Sequence, residues 1–169
     1  MKKFELTNEF VTNMFGTKLF RIRALVEFGD VEAGELGGYV EKESNLGHDD
    51  NAWVYGDAWV YGDAWVYGNA LVCGNARVYD NARVCGDALV CGDARVCGNG
   101  DYAYAHGFGS VNRTTTFFRL KDGGVGVRCG CFYGTLAQFR DKIRETHGET
   151  KKAQEYLMLA DLMKLRFEK

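Results

Sequence analysis

The chain of 169 residues is 46% apolar and 26% charged, and it carries a formal net charge of -2. These values suit one globular domain over residues 1–169 and exclude the basic field that holds a nucleic-acid backbone. MKKFELTNEF lacks the continuous apolar run of a signal peptide, and no stretch reaches the roughly 18 apolar residues of a membrane span, so a cytoplasmic protein without a membrane partner is expected.

In chain order, Phe4 and Leu6 alternate with polar neighbours, and TKLFRIRALV sets Phe20, Ile22 and Ala24 against Arg21 and Arg23. Two half-buried strands with this pattern predict an N-terminal hairpin cap within residues 1–35. GDVEAGELGGYVE then leads, punctuated by glycine, into the dominant feature of the chain. From Asn51 to Gly98 run eight uninterrupted hexads, NAWVYG, DAWVYG, DAWVYG, NALVCG, NARVYD, NARVCG, DALVCG and DARVCG, broken only by Asp80 in the glycine slot.

Each hexad alternates Ala and Val on one side with variable residues on the other, a short strand, and its Gly plus Asn/Asp supplies a corner. Six residues are too few for a hairpin with its own core, so stacked coils are needed to bury the Ala and Val columns. The pattern resembles the hexapeptide-repeat proteins, and the resemblance implies a mainly β fold, a left-handed parallel β-helix with three hexads per coil. Val40 and Leu46 lie one hexad apart but two residues out of frame with Val54, so a bulge at His48, Asp49 and Asp50 is expected to join an earlier coil. Tyr102 and Phe108 continue the Val slot, which extends the expected β-helix over 36–110.

With three hexads per coil, the outward side chains sort onto three faces. The first carries Trp53, Leu71 and Leu89 beside Tyr55, Cys73 and Cys91; the second Trp59, Arg77 and Arg95 beside Tyr61, Tyr79 and Cys97; the third Trp65 and Arg83 beside Tyr67 and Cys85. The repeat cysteines fall on different faces and share a slot with tyrosine, so they are read as packing residues and no metal site is expected. In each corner stack, such as Asn51, Asn69 and Asp87, no two aspartates are adjacent, as repulsion between neighbouring strands favours.

Beyond the repeats, TTTFFRL and VGVRCGCFYG flank Lys121-Asp122-Gly123-Gly124 and predict a β-hairpin over 111–133. Thr135 and Gln138 form a capping box opening a helix that turns Leu136, Phe139 and Ile143 inward and stops near Gly148. A second helix over 150–167 carries Tyr156, Leu159, Ala160, Leu162 and Met163 as an apolar stripe, completing a helical tail over 134–169. Its expected acceptor is the apolar first face or the last coil; left uncovered, that face or the helices would serve a homo-oligomer.

The best-known proteins of the resembling family are acyltransferases that use acetyl-CoA and a histidine base. Here the hexads hold no histidine, and His106, in a glycine-flanked loop, is the one candidate for a catalytic base. The lead-in Gly37-Gly38-Tyr39-Val40-Glu41 and the exit Gly130-Cys131-Phe132-Tyr133-Gly134-Thr135 resemble small bacterial and phage proteins labelled as transferases or polymer-forming cytoskeletal proteins. The favoured expectation is a module without cofactor that binds a bacterial protein partner through Trp53, Tyr55, Trp59, Tyr61, Trp65, Tyr67, Arg77, Arg83 and Arg95, the aromatic and arginine ladders. One version is a phage or prophage inhibitor of a bacterial enzyme or defence complex. The alternatives are an acetyl-CoA-dependent acyltransferase using His106 and a self-assembling structural protein.

Overall fold

The structure, a computed structural model, describes residues 1–168. The N-terminal alternation yields β1 (Phe4–Thr12) and β2 (Lys18–Ala24), an antiparallel hairpin that buries Phe4, Leu19, Ile22 and Ala24. Strand β3 (Leu36–Val40) pairs antiparallel with β2 on one side and parallel with β5 (Trp59–Val60) on the other. The hairpin thus continues one sheet of the repeat region.

The remaining hexads form β4 (Trp53–Val54), β6 (Trp65–Val66), β7 (Leu71–Val72), β8 (Arg77–Val78), β9 (Arg83–Val84), β10 (Leu89–Val90) and β11 (Arg95–Val96). They are parallel, and Trp53 lies opposite Leu71, Trp59 opposite Arg77 and Trp65 opposite Arg83, a spacing of three hexads. The product is a β-solenoid of about three turns with three flat sides. All eight hexad valines are fully buried, and the eight alanines are at most 1% exposed. Each buried valine contributes about 1.5–3 kcal/mol, and stacking neighbours is how a six-residue unit obtains that burial. At the corners Asp80 takes the same left-handed conformation as the glycines of every other hexad except the last, with φ +55° against +65° at Gly74.

Val40 lies opposite Val60 and Leu46 opposite Val66, so the first, partial coil is offset by twenty residues where the later coils have eighteen. The two extra residues fall in the stretch around His48 and Asp50, the latter with φ +55°. His48 leaves the coil there and stacks on Phe4, ring centroids 4.4 Å apart.

Both ends of the solenoid have their exposed strand edges closed by side chains. At the first coil, Lys3 Nζ donates to the Ala52 carbonyl at 2.7 Å, Asn45 Nδ2 to the Ala64 carbonyl at 2.8 Å, and the Gly62 N–H to Glu41 Oε2 at 2.6 Å. At the last coil, Asn99 Oδ1 accepts from Arg83 N–H, Thr116 Oγ1 from Leu89 N–H and Asp101 Oδ2 from Cys97 N–H, while the Tyr102 hydroxyl donates to the Arg83 carbonyl. An edge satisfied in this way offers no ladder for a further strand.

The parallel coils stop at β11, short of the boundary at 110 expected from Tyr102 and Phe108. Both residues belong to β12 (Tyr102–Phe108), which runs antiparallel to β13 (Arg113–Arg119). The expected hairpin of β13 and β14 (Val125–Cys129) is the middle one of three, since β12 pairs with β13 and β14 with β15 (Phe132–Thr135), giving a four-stranded antiparallel sheet. Period-two alternation splits its residues: Tyr102 and Phe118 join the solenoid core, and Phe117 and Val127 join a second core under the helices.

Helix α1 (Leu136–His147) opens on the Thr135 and Gln138 capping box and ends at Gly148. Helix α2 (Lys151–Phe167) is capped by Thr150 and buries Ala153, Tyr156, Ala160, Met163 and Phe167. The helices therefore cover the outer side of the sheet and not the apolar first face of the solenoid, because alternate sheet residues present a ready apolar acceptor. Leu162, assigned to the buried stripe by sequence, faces solvent. No helix among the described residues is long and apolar enough to cross a membrane.

Candidate functional site

The flat sides hold their outward side chains in columns about 4.8 Å apart, so whatever the hexads place in one slot is presented as a ladder. The first face is closed at its N-terminal end and partly covered beyond it. Trp53 is fully buried, with Phe28 at 5.2 Å and Phe4 at 6.3 Å against its ring in edge-on contacts and Gly37 packed beneath it. This removes Trp53 from the expected contact surface: the N-terminal segment uses it as an anchor. Tyr55 is half-buried against the same core, and burial raises its phenol pKa. Cys91 is buried beside Cys73 on this face, and Thr116 of β13 caps its last strand.

The second face is open over the hexads and continues beyond them to Tyr39, which is buried beside Glu9 of β1. Arg77 lies over the Trp59 ring at 4.0 Å, and Arg95 follows in register. In the other direction Tyr39 pairs with Trp59, and Arg21 pairs with Tyr39, its guanidinium 5.0 Å from the ring and hydrogen-bonded to the hydroxyl at 2.7 Å. The result is one ladder, Arg21, Tyr39, Trp59, Arg77, Arg95, running across five strands. Alongside it Tyr61 and Tyr79 stack at 5.3 Å with an 8° interplanar angle. Exposed cation–π pairs contribute about 0.5–1 kcal/mol each, enough to fix the orientation of these side chains.

Arg77 and Arg95 are adjacent cations, and among the described residues neither forms an ion pair. Burial, then the neighbouring Arg77, push Arg95 below the usual guanidinium range. Lys121 joins them from the β13–β14 turn, where its N–H donates to the Asp93 carbonyl at 3.0 Å. A shallow depression results, lined by Trp59, Arg77, Arg95, Lys121, Asp57 and Asp93.

On the third face Arg83 lies 5.8 Å over Trp65, and Trp65 stacks on Tyr67 at 4.0 Å. Trp65 retains 38% exposure, the most of the three tryptophans. Of the nine binding residues named from sequence, the fold thus groups Trp59, Tyr61, Arg77 and Arg95 on one open face and Trp65, Tyr67 and Arg83 on the next. Arg21, Tyr39 and Lys121 were missed. Tyr39 is masked by the twenty-residue offset, while the other two arrive from strands and turns outside the hexads and leave no periodic signal.

His106 sits on β12, not in a loop, opposite Thr114, with Nδ1 2.7 Å from the Thr114 hydroxyl on an exposed surface. No acid or thiol is hydrogen-bonded to it among the described residues, so the geometry supplies a ring held by one threonine and no second catalytic group.

No curated protein matches the chain. The family model described as the YdcK beta solenoid repeat matches residues 70–86, 76–92 and 82–98, windows that advance by one hexad and coincide with the register of the coils. With that match and the paired strands described above, the chain carries a β-solenoid repeat module.

Proposed function

We propose that this protein is a non-catalytic binding module whose partner docks on the second and third faces. The observation that carries the reading is the partly exposed run of Trp59, Arg77 and Arg95, continued towards the N-terminal hairpin by Arg21 and the buried Tyr39 and held on a rigid core. Aromatic and arginine side chains dominate interface hot spots because they bring large contact areas at little conformational cost. Unpaired Arg77 and Arg95 beside Lys121 favour a partner that presents carboxylates next to apolar surface. The closed coil edges speak against end-to-end assembly. A phage-borne inhibitor of a bacterial enzyme or defence complex is the form suggested by the resemblance of the lead-in and exit segments, and it sets the source of the lysate.

The test is capture from bacterial lysate by the wild-type protein and by Arg77→Ala and Trp65→Ala variants that retain the wild-type melting temperature. The expected result is a protein retained by the wild type and lost or weakened at least tenfold with either variant, the scale of one hot-spot residue. Equal retention by all three proteins, or stabilisation by acetyl-CoA that disappears in His106→Ala, overturns the reading.

A further inference from the structure

Away from the solenoid faces, a cleft of about 200 Å³ opens between the four-stranded sheet and α1. At ~30 Å³ per water it has room for roughly seven waters, hence for a molecule of about that many heavy atoms. Its floor is apolar and buried, formed by Phe139, Ile143 and the Tyr156 ring. Its lining includes the basic residues Arg113, Lys142 and His147 and, among the described residues, no carboxylate.

Arg113 is the informative residue. Arg119, Arg140 and Arg144 of the same unit each hold an aspartate, at 3.1, 2.7 and 3.8 Å, and Arg128, whose buried Nε also lacks a partner among the described residues, does not line the cleft. Arg113 holds no carboxylate and makes no hydrogen bond among the described residues, although it is half-buried. Its guanidinium lies against Gly130, which has φ +59° and where a Cβ would collide with Nη1, so the β14–β15 turn leaves space for the arginine head. A guanidinium placed at a cleft without an anion can take a bidentate carboxylate.

A second polar group faces the same space. Thr115 Oγ1 donates to Cys129 Sγ at 3.2 Å, and Cys129 Sγ donates to the Tyr156 hydroxyl at 3.8 Å. The Tyr156 hydroxyl is thus held at the cleft by Cys129 and Thr115. Burial, with the neighbouring Cys129, pushes the Tyr156 pKa up to about 12, so the hydroxyl stays protonated at neutral pH. Lys142 is only loosely engaged, 3.4 Å from Glu145.

We propose that this cleft binds a small apolar carboxylate of about six carbons, with its head group on Arg113 and its chain over Phe139 and Ile143. The carbonyl end of α1 at His147 is the negative end of the helix dipole and disfavours an anion there, which assigns the head group to the Arg113 side.

The experiment is calorimetric titration of the full chain with hexanoate, hexanol and inorganic phosphate, together with mass-spectrometric measurement of iodoacetamide alkylation at the exposed Cys131 on the cleft lining. The expected result is saturable hexanoate binding that slows Cys131 alkylation and is about tenfold or more tighter than hexanol, the range for a charge-assisted hydrogen bond. Arg113→Gln should reduce hexanoate to the level of hexanol. Thr146→Trp, at an exposed position on the cleft lining, should abolish binding of both and decides the matter if Arg113→Gln unfolds. Absence of saturable hexanoate binding, equal affinity for hexanol, phosphate binding as tight as hexanoate, or hexanoate binding that survives Thr146→Trp overturns the proposal.

Discussion

Replacing Gly74 with alanine adds one methyl group where two constraints meet, and two other glycines separate them. Gly74 has φ +65°, and a Cβ there would lie 2.8 Å from the Gly92 nitrogen and 3.2 Å from its Cα on the next coil. Gly56 shares the conformation, φ +59°, but its nearest neighbour is the Gly74 carbonyl oxygen at 3.9 Å. Gly98 is extended, φ -158°, with nothing within 4 Å. Left-handed alanine costs about 1–2 kcal/mol, of which the stiffer unfolded chain returns about 0.4–1 kcal/mol. Gly56→Ala should then destabilise by about 1 kcal/mol, and Gly98→Ala should be neutral or slightly stabilising. Gly74→Ala must also push one coil off the next, a further ~1–3 kcal/mol of overpacking. Urea unfolding followed by far-UV circular dichroism, compared at constant m-value, resolves these steps. Equal losses for Gly56→Ala and Gly74→Ala would refute the steric argument, and an equal loss for Gly98→Ala would refute the conformational one.

Asp80→Gly should relieve the left-handed strain of the one non-glycine corner within the eight hexads and raise stability by about 0.5 kcal/mol, read as a melting temperature higher by roughly 1–2 °C; a lower one contradicts the reading of that slot. Trp53→Ala should cost about 3–5 kcal/mol, as expected of a fully buried aromatic anchor, whereas a change under 1 kcal/mol would mean the N-terminal segment does not cover the first face. Thr135→Ala removes the α1 cap and should cost about 1 kcal/mol in thermal unfolding, with no loss if the box is decorative.

The N-terminal contacts also carry a pH dependence. Burial lowers the His48 pKa below 6.5, and neutral Nδ1 accepts from the Lys3 N–H at 3.1 Å. The unfolded chain therefore binds this proton first, and stability falls as pH drops below about 6.5 towards the lower folded value. Burial likewise lowers Lys3 from 10.5 to about 8, so stability rises as pH increases from about 8 to 10.5. Unfolding midpoints across pH 5–10 should show both trends, the first lost in His48→Gln and the second in Lys3→Met; identical profiles for the variants would contradict them.

The hexads made the solenoid legible because one buried column requires Ala and Val at a fixed period, and any coil of that period must stack its outward slots. The corner stacks were equally legible: Asn69 Nδ2 donates to Asp87 Oδ1 at 3.2 Å across the coils. What the repeat could not convey was where repetition ends. Tyr102 occupies the valine slot, yet its hydroxyl caps the Arg83 carbonyl and its strand turns antiparallel, choices made by Phe118 and Thr116 far along the chain. The fate of Trp53 was illegible for the same reason. Its hexad differs from those of Trp59 and Trp65 only in Asn51 for aspartate, and the position of Phe4 and Phe28 decides that one of three identical side chains is core.

The side-chain locks at both ends of the solenoid make the coils between them a spacer with a phase. Inserting one hexad would rotate the C-terminal sheet and helices by about 120° relative to the N-terminal hairpin and advance them by roughly a third of the 4.8 Å rise, without disturbing either lock. Inserting three would restore the original angle at greater separation. The number of hexads is therefore an angular setting as well as a length, and it fixes which solenoid face lies beneath the acid-binding cleft.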